Sequence, residues 1–152
     1  MNDHPNTLQN TVDWFDKAKP LPTTKDLSTQ IGVHLEEVSE MMEKLTSSNP
    51  LLQFSIKMTA ETLAQMSKAM REEDCISIKE DDRIEILDAL CDQIVTAVGV
   101  AHCAGMKIVD GLHEVNRSNW SKFDENGEPI LDETRKIIKG PNYTKPDLTL
   151  LV

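Results

Sequence analysis

Apolar residues along this chain recur every three or four positions, the spacing of one face of an α-helix, and sustained alternation of the kind a strand needs is scarce. The first such run covers residues 8–19, anchored by Val12, Trp14 and Phe15. It ends at Pro20-Leu21-Pro22, because proline lacks an amide proton and restricts the residue before it. Thr23 or Thr24 then caps a second helix, with Asp26 near its positive end, expected over 24–47. On it Leu27, Ile31, Leu35, Val38, Met42 and Leu45 fall within an arc of about 80° at about 100° per residue, which predicts one buried stripe. Ser47-Ser48-Asn49-Pro50 breaks that helix, and a third follows over 51–73 with Leu52, Ile56, Thr59, Leu63, Met66 and Met70 on one face. A polar link over 74–81 leads to a fourth helix, 82–103, whose face holds Ile84, Leu87, Cys91, Ile94, Val95, Val98 and His102. Gly105 stops it, and a fifth, shorter helix covers 108–123. Beyond it, Asp124-Glu125-Asn126-Gly127-Glu128-Pro129 and Gly140-Pro141-Asn142 read as turns in a loop or short hairpin. The pattern predicts an all-α fold: one domain over 1–152, a bundle of four to five helices with its core in 24–123 and an irregular arm over 124–152.

Composition narrows the function classes. A length of 152 residues suits one domain, and 4% aromatic content argues against a β-sandwich or β-barrel. Sixteen basic against 26 acidic residues give a formal charge of −10, which repels nucleic-acid polymers and anionic membranes. No run is long and apolar enough to span a bilayer. Cys75, Cys91 and Cys103 are odd in number and lack CxxC spacing, so a reduced, cytoplasmic setting and buried core roles are expected for them. His4, His34, His102 and His113 form neither HxxxH nor HExxH, which argues against zinc.

Candidate chemistry lies in the carboxylates. The second helix carries Glu36, Glu37, Glu40 and Glu43 within eight residues. Glu37 and Glu40 stand one turn apart, with Glu37 flanking the apolar stripe beside Met41 and with Glu36 and Glu43 pointing largely away. On the fourth helix Glu85, Asp88 and Asp92 fall within about 60° of one another beside that helix's own stripe. If the two helices pack together, the acidic rows converge. Two like charges about 4 Å apart repel by about 4 kcal/mol at the effective dielectric of a partly buried site, so such a seam needs a cation. Hard oxygen donors without His or Cys select Mg²⁺ or Mn²⁺. The same acids also suit a plain solvated helix face.

The segment His34-Leu-Glu-Glu-Val-Ser-Glu-Met-Met, with its ExxE, followed by Glu85-Ile-Leu-Asp88-Ala-Leu-Cys-Asp92, resembles the all-α nucleoside triphosphate pyrophosphohydrolases. That group includes the MazG-like enzymes, dimeric dUTPases and phosphoribosyl-ATP pyrophosphatase. Glu114-Val-Asn-Arg-Ser-Asn-Trp-Ser-Lys122, Ile138-Ile-Lys-Gly-Pro-Asn-Tyr143 and Lys145-Pro-Asp-Leu148 are similar to the family's later segments, so the resemblance spans residues 27–148. It departs at one point. Read literally, ExxD is Glu85 with Asp88; if Asp92 is the family's aspartate, Ala89 occupies the glutamate position. Both readings stay open.

The resemblance implies hydrolysis of a nucleoside triphosphate to monophosphate and pyrophosphate, in nucleotide-pool housecleaning, by an enzyme that assembles as a homodimer or tetramer. It implies Mg²⁺ held by Glu37, Glu40, Glu85, Asp88 and Asp92, with Glu37 or Glu40 orienting or deprotonating the attacking water. Arg117 and Lys122 are then the cationic contacts to phosphate oxygens, Asn116 and Asn119 meet a base or sugar edge, and Lys139 and Tyr143 close over the nucleotide. Trp14, Phe15 and Trp120 read as packing residues, and His34 as an edge residue beside the acidic row. The alternative is a non-catalytic helical interaction or regulatory protein, which needs the amphipathic faces but not convergent acids.

Overall fold

The computed structural model describes residues 7–152, so His4 lies outside the described residues. Its regular structure is α1 (Thr7–Ala18), α2 (Thr24–Glu43), α3 (Pro50–Glu72), a 3-10 turn (Glu80–Asp82), α4 (Arg83–Cys103) and α5 (Ile108–Trp120). These are the five helices that the apolar periodicity predicts, and no strand is formed among the described residues. α2 stops at Glu43, four residues short of the expected break, because the link serves the next helix. Asn49 accepts from the Leu51 and Leu52 amides at 3.0 and 3.3 Å, Pro50 opens α3, and Gln53 Oε1 accepts from the Ser47 amide at 2.7 Å.

The chain divides into two compact units, and the C-terminal arm is shared between them. One unit is Leu21–Ser77 with Leu131–Lys136; the other, among the described residues, takes in 7–20, Ile78–Ile130 and Ile137–Val152.

In the α2–α3 unit, the start of α2 is fixed by reciprocal bonds between Thr23 and Asp26. The two helices cross along small residues. Ser28 Oγ donates to the Met70 carbonyl at 2.7 Å and Ser39 Oγ to the Ala60 carbonyl at 2.8 Å. A Cβ added to Gly32 would lie 2.7 Å from the Ser67 carbonyl oxygen. This revises the predicted stripe. The buried positions of α2 are Asp26, Ser28, Thr29, Gly32 and Ser39, whereas Leu27, Ile31, Leu35, Val38 and Met42 are half-buried and Leu45 is exposed. On α3 the inward face is Ile56, Ala60, Leu63, Ser67 and Met70, with Leu52, Thr59 and Met66 exposed. The physical reason is distance: so close a crossing excludes bulky side chains, and the Ser28 and Ser39 hydroxyls close onto backbone carbonyls, while the buried Ser67 hydroxyl is left without a partner among the described residues.

In the other unit, α1 lies against α5. Trp14, Ala18 and Phe123 form the buried core, flanked by Phe15, Trp120 and Ile137, and Trp14 stacks on Phe123 with ring centroids 5.9 Å apart. Both tryptophans therefore serve packing. Trp120 also donates from Nε1 to Asn10 Oδ1 at 2.6 Å.

α4 is exposed along its whole length except at Ala101, so the predicted core face of Ile84, Leu87, Ile94, Val95 and Val98 is open to solvent. The expected core roles of Cys75, Cys91 and Cys103 are overturned for the same reason. All three are exposed, one on the link after α3 and two on this uncovered helix. No helix is long and apolar enough to cross a membrane among the described residues.

Candidate functional site

The two acidic rows belong to different units. Glu37 and Glu40 are exposed on α2; Glu85, Asp88 and Asp92 are exposed on α4. Glu40, Glu85, Asp88 and Asp92 enter no side-chain hydrogen bond or ion pair with a described residue. Four carboxylates of the right hard-oxygen type are thus left with no internal cation. No group of three or more His, Cys, Asp or Glu side chains is gathered among the described residues as a metal ion would need.

Glu36 behaves differently from its sequence reading. It does not point away: it is half-buried, with Oε2 accepting from Lys136 Nζ at 2.8 Å and Oε1 lying 3.3 Å from Arg71 Nη1. Lys136 belongs to a short strap, Leu131–Lys136, held down on α2. Arg135 grips buried Asp26 with two bonds, Nε to Oδ1 at 2.9 Å and Nη2 to Oδ2 at 2.8 Å, and Thr29 Oγ1 donates to the Thr134 carbonyl at 2.6 Å. Asp132 braces the strap from within by accepting from the Thr134 and Lys136 amides at 2.9 Å each. Burial pushes the Asp132 carboxyl up, but the Thr134 hydroxyl and those two amides outweigh it and hold the group below its usual range. Arg135 takes φ 65°, the one positive value at a non-glycine residue among the described residues.

In the other unit the candidate substrate residues cluster around the end of α5. Asn116 is buried: its Nδ2 donates to the Thr7 carbonyl at 2.8 Å and its Oδ1 accepts from Thr11 Oγ1 at 2.9 Å. Arg117 meets Glu114 through Nε and Nη2 at 2.7 Å each, and reaches Thr144 Oγ1 at 2.5 Å and the Lys145 carbonyl at 3.2 Å. Glu114 also accepts from the Asp147 amide at 2.9 Å. The Arg117 guanidinium, then the Asp147 amide, hold the Glu114 carboxyl down at about 2. Asn116 thus ties α5 to α1, and the Glu114–Arg117 pair latches the arm onto α5.

Asn119 is half-buried on the last turn of α5, Lys122 Nζ stands 5.8 Å from the centroid of the Trp14 ring, and Lys139 Nζ lies 4.7 Å above the Tyr143 ring. Gly140 is required by close approach. A Cβ there would meet the carbonyl oxygens of Lys122 and Phe123 at 2.5 and 2.9 Å, and its own amide donates to the Lys122 carbonyl at 2.8 Å. The loop carrying Lys139 and Tyr143 is thereby seated on the end of α5. His34 is exposed on α2.

Sequence reasoning missed Arg71, Arg135 and Lys136, and gave Glu36 and Asp26 no role beyond helix-wheel and cap positions. A basic pair at 135–136 inside an acidic turn is a signal in the sequence, but which helix it meets is not.

No protein-family model matches the chain, and no curated protein matches it. Among solved structures it is similar to the "putative NTP pyrophosphohydrolase" from Exiguobacterium sp. 255-15, with a TM-score of 0.60 and 19% identity over 95% of this chain and 90% of that one. The likeness shows that the two share one all-helical fold along nearly their whole length, the architecture that the resemblance in the acidic and C-terminal segments implies.

Proposed function

We propose that this protein is a Mg²⁺-dependent nucleoside triphosphate pyrophosphohydrolase, releasing a nucleoside or deoxynucleoside monophosphate and pyrophosphate in cytoplasmic nucleotide-pool housecleaning. The observation that carries the reading is specific. On the fold shared with an NTP pyrophosphohydrolase candidate, both acidic motifs sit exposed, and Glu40, Glu85, Asp88 and Asp92 have no cationic partner among the described residues. Their all-oxygen chemistry fits a hard divalent ion, Mg²⁺ or Mn²⁺, with Glu37 completing the set and either Asp88 or Asp92 closest to the metal. Bound there, the ion would offset polyphosphate charge and acidify a water. Glu37 or Glu40 orients or deprotonates that water, and Asn119, Lys122, Lys139 and Tyr143 meet the nucleotide. Asn116 and Arg117 act from their ties: they fix α5 and the arm on which those side chains are carried. A net charge of −10 disfavours nucleic-acid polymers as substrates, and makes cation-assisted binding of a triphosphate necessary.

The exposed apolar residues of α4, with Ile84, Leu87 and Val95 each more than 60% exposed, fit a homodimer or a dimer of dimers in which a second copy covers that helix. The same face supports the second reading, a non-catalytic helical protein that pairs with a partner.

Incubation with each nucleoside and deoxynucleoside triphosphate in Mg²⁺ is expected to give monophosphate and pyrophosphate in equal amounts. No turnover of any of them in Mg²⁺ or Mn²⁺ removes the enzyme reading and leaves the second. Glu40→Gln is expected to abolish turnover with helix content by circular dichroism unchanged; loss of the fold would make Glu40 structural instead.

A further inference from the structure

Two cations share one carboxylate on α2, and the geometry that brings them there is built from three separate pieces of chain. Arg71 comes from α3, and its stem crosses α2 where Gly32 leaves room: a Cβ on Gly32 would lie 2.9 Å from Arg71 Cγ. Glu36 is one turn on from Gly32, so the guanidinium arrives at its Oε1. Lys136 comes from the strap, which Arg135 pins to Asp26 at the cost of a left-handed backbone that an arginine does not favour.

Neither cation is saturated. Arg71 donates from Nε to the Ser67 carbonyl at 3.4 Å and approaches Glu36 through Nη1, while its Nη2 donates no hydrogen bond to a described residue. Lys136 directs one of three ammonium protons at Glu36. The cluster therefore carries one net positive charge in a chain whose formal charge is −10. Both side chains keep access to solvent, at 23% for Arg71 and 34% for Lys136.

Its position on the helix gives the cluster a direction. At about 100° per residue, Asp26, Thr29, Glu36 and Glu40 fall within an arc of about 80°. The strap covers the first three of these, and Glu40 stands one turn beyond the Arg71–Glu36–Lys136 cluster on the same face. An anion held by metal at Glu40 has this pair of donors as its neighbour along the helix.

We propose that Arg71 and Lys136 form the seat for the pyrophosphate end of the substrate, with Glu36 holding the two cations in place until a phosphate oxygen replaces it as their partner. A planar guanidinium and an ammonium beside it match the several oxygens and the higher charge of a diphosphate, and the phosphate of a nucleoside monophosphate belongs to the other side of the bond that is cleaved. The inference rests on the reading of Glu37 and Glu40 as metal ligands given above, and the test separates the two.

Calorimetric titration of the whole protein with Mg²⁺–pyrophosphate, and in parallel with a nucleoside monophosphate, needs no turnover. Lys136→Ala and Arg71→Ala are each expected to weaken Mg²⁺–pyrophosphate binding about tenfold with monophosphate binding unchanged, and Arg71→Lys to recover part of the loss. If Arg71→Ala does not fold, Lys136→Ala decides, since that side chain lies on the outer strap. Variants with native circular dichroism that bind pyrophosphate as the parent does, or that lose both ligands in parallel, overturn the proposal, as does a parent that binds no pyrophosphate. A parent that binds pyrophosphate through Arg71 and Lys136 but hydrolyses no nucleotide leaves the anion seat standing and removes the enzyme reading. Turnover in the parent together with indifferent variants does the reverse.

Discussion

At the scale of single residues, most of the informative side chains work by closing hydrogen bonds that the fold would otherwise leave open. Asn116 is the clearest: a fully buried amide whose donor and acceptor both end on α1. Asn116→Ala is expected to cost about 1–3 kcal/mol, because both bonds that tie α5 to Thr7 and Thr11 of α1 are lost, with the loss read as a lower denaturant midpoint. Glu114 gives a pH signature whose sign is fixed by its depressed carboxyl. With a folded value of about 2 against an ordinary 4.5, the latch contributes stability that is complete above 4.5, declines as pH falls and is gone below about 2. Acid titration followed by the near-ultraviolet signal should therefore show the parent losing stability across that window, and Glu114→Gln should flatten that segment of the curve. The Arg117 side of the pair is exposed, so added salt should shrink the effect.

At the scale of elements, the α2–α3 crossing and the seat of the Lys139–Tyr143 loop depend on glycines for different partners. Gly32→Ala would drive a Cβ to 2.7 Å from a helix carbonyl, and Gly140→Ala to 2.5 Å from the Lys122 carbonyl. Neither obstacle is a flexible side-chain end, so each substitution is expected to destabilise by about 1–3 kcal/mol, measured by thermal unfolding. The two should differ in function. Gly32→Ala disturbs Arg71 and the cation cluster, whereas Gly140→Ala displaces Lys139 and Tyr143, so under the enzyme reading the second raises KM for the nucleotide. Periodicity located all five helices because it is a local property of the chain. It misplaced the buried face of α2 because Ser28, Gly32 and Ser39 carry no hydrophobic signal; their role is created by α3 approaching.

At the scale of the whole molecule, the uncovered apolar length of α4 is the feature that the single chain does not account for. Sedimentation is expected to give a mass of at least twice 17.1 kDa, and Val95→Asp, placed where the face is 67% exposed, to shift the population toward monomer without loss of helix content. Mg²⁺ at millimolar concentration is expected to raise the melting temperature if the carboxylates hold it, by mass action on the folded state, and Glu40→Gln to shrink that rise. An unchanged melting point with Mg²⁺ or Mn²⁺ would favour the partner-binding reading.

The sequence by itself determined the helices, their order and the acidic residues available for chemistry, because helix period, caps and charge are written at three- and four-residue range. It also placed Trp14, Phe15 and Trp120 in packing roles. Only the tertiary structure decided which face of α2 is buried, that all three cysteines are exposed, that Glu36 meets Arg71 and Lys136, and that six residues of the arm join the α2–α3 unit. Those outcomes depend on pairs up to about a hundred positions apart, such as Lys136 with Glu36 and Arg135 with Asp26. Contacts at that separation leave no periodic trace in the chain; they exist only once packing has brought the partners within hydrogen-bonding distance.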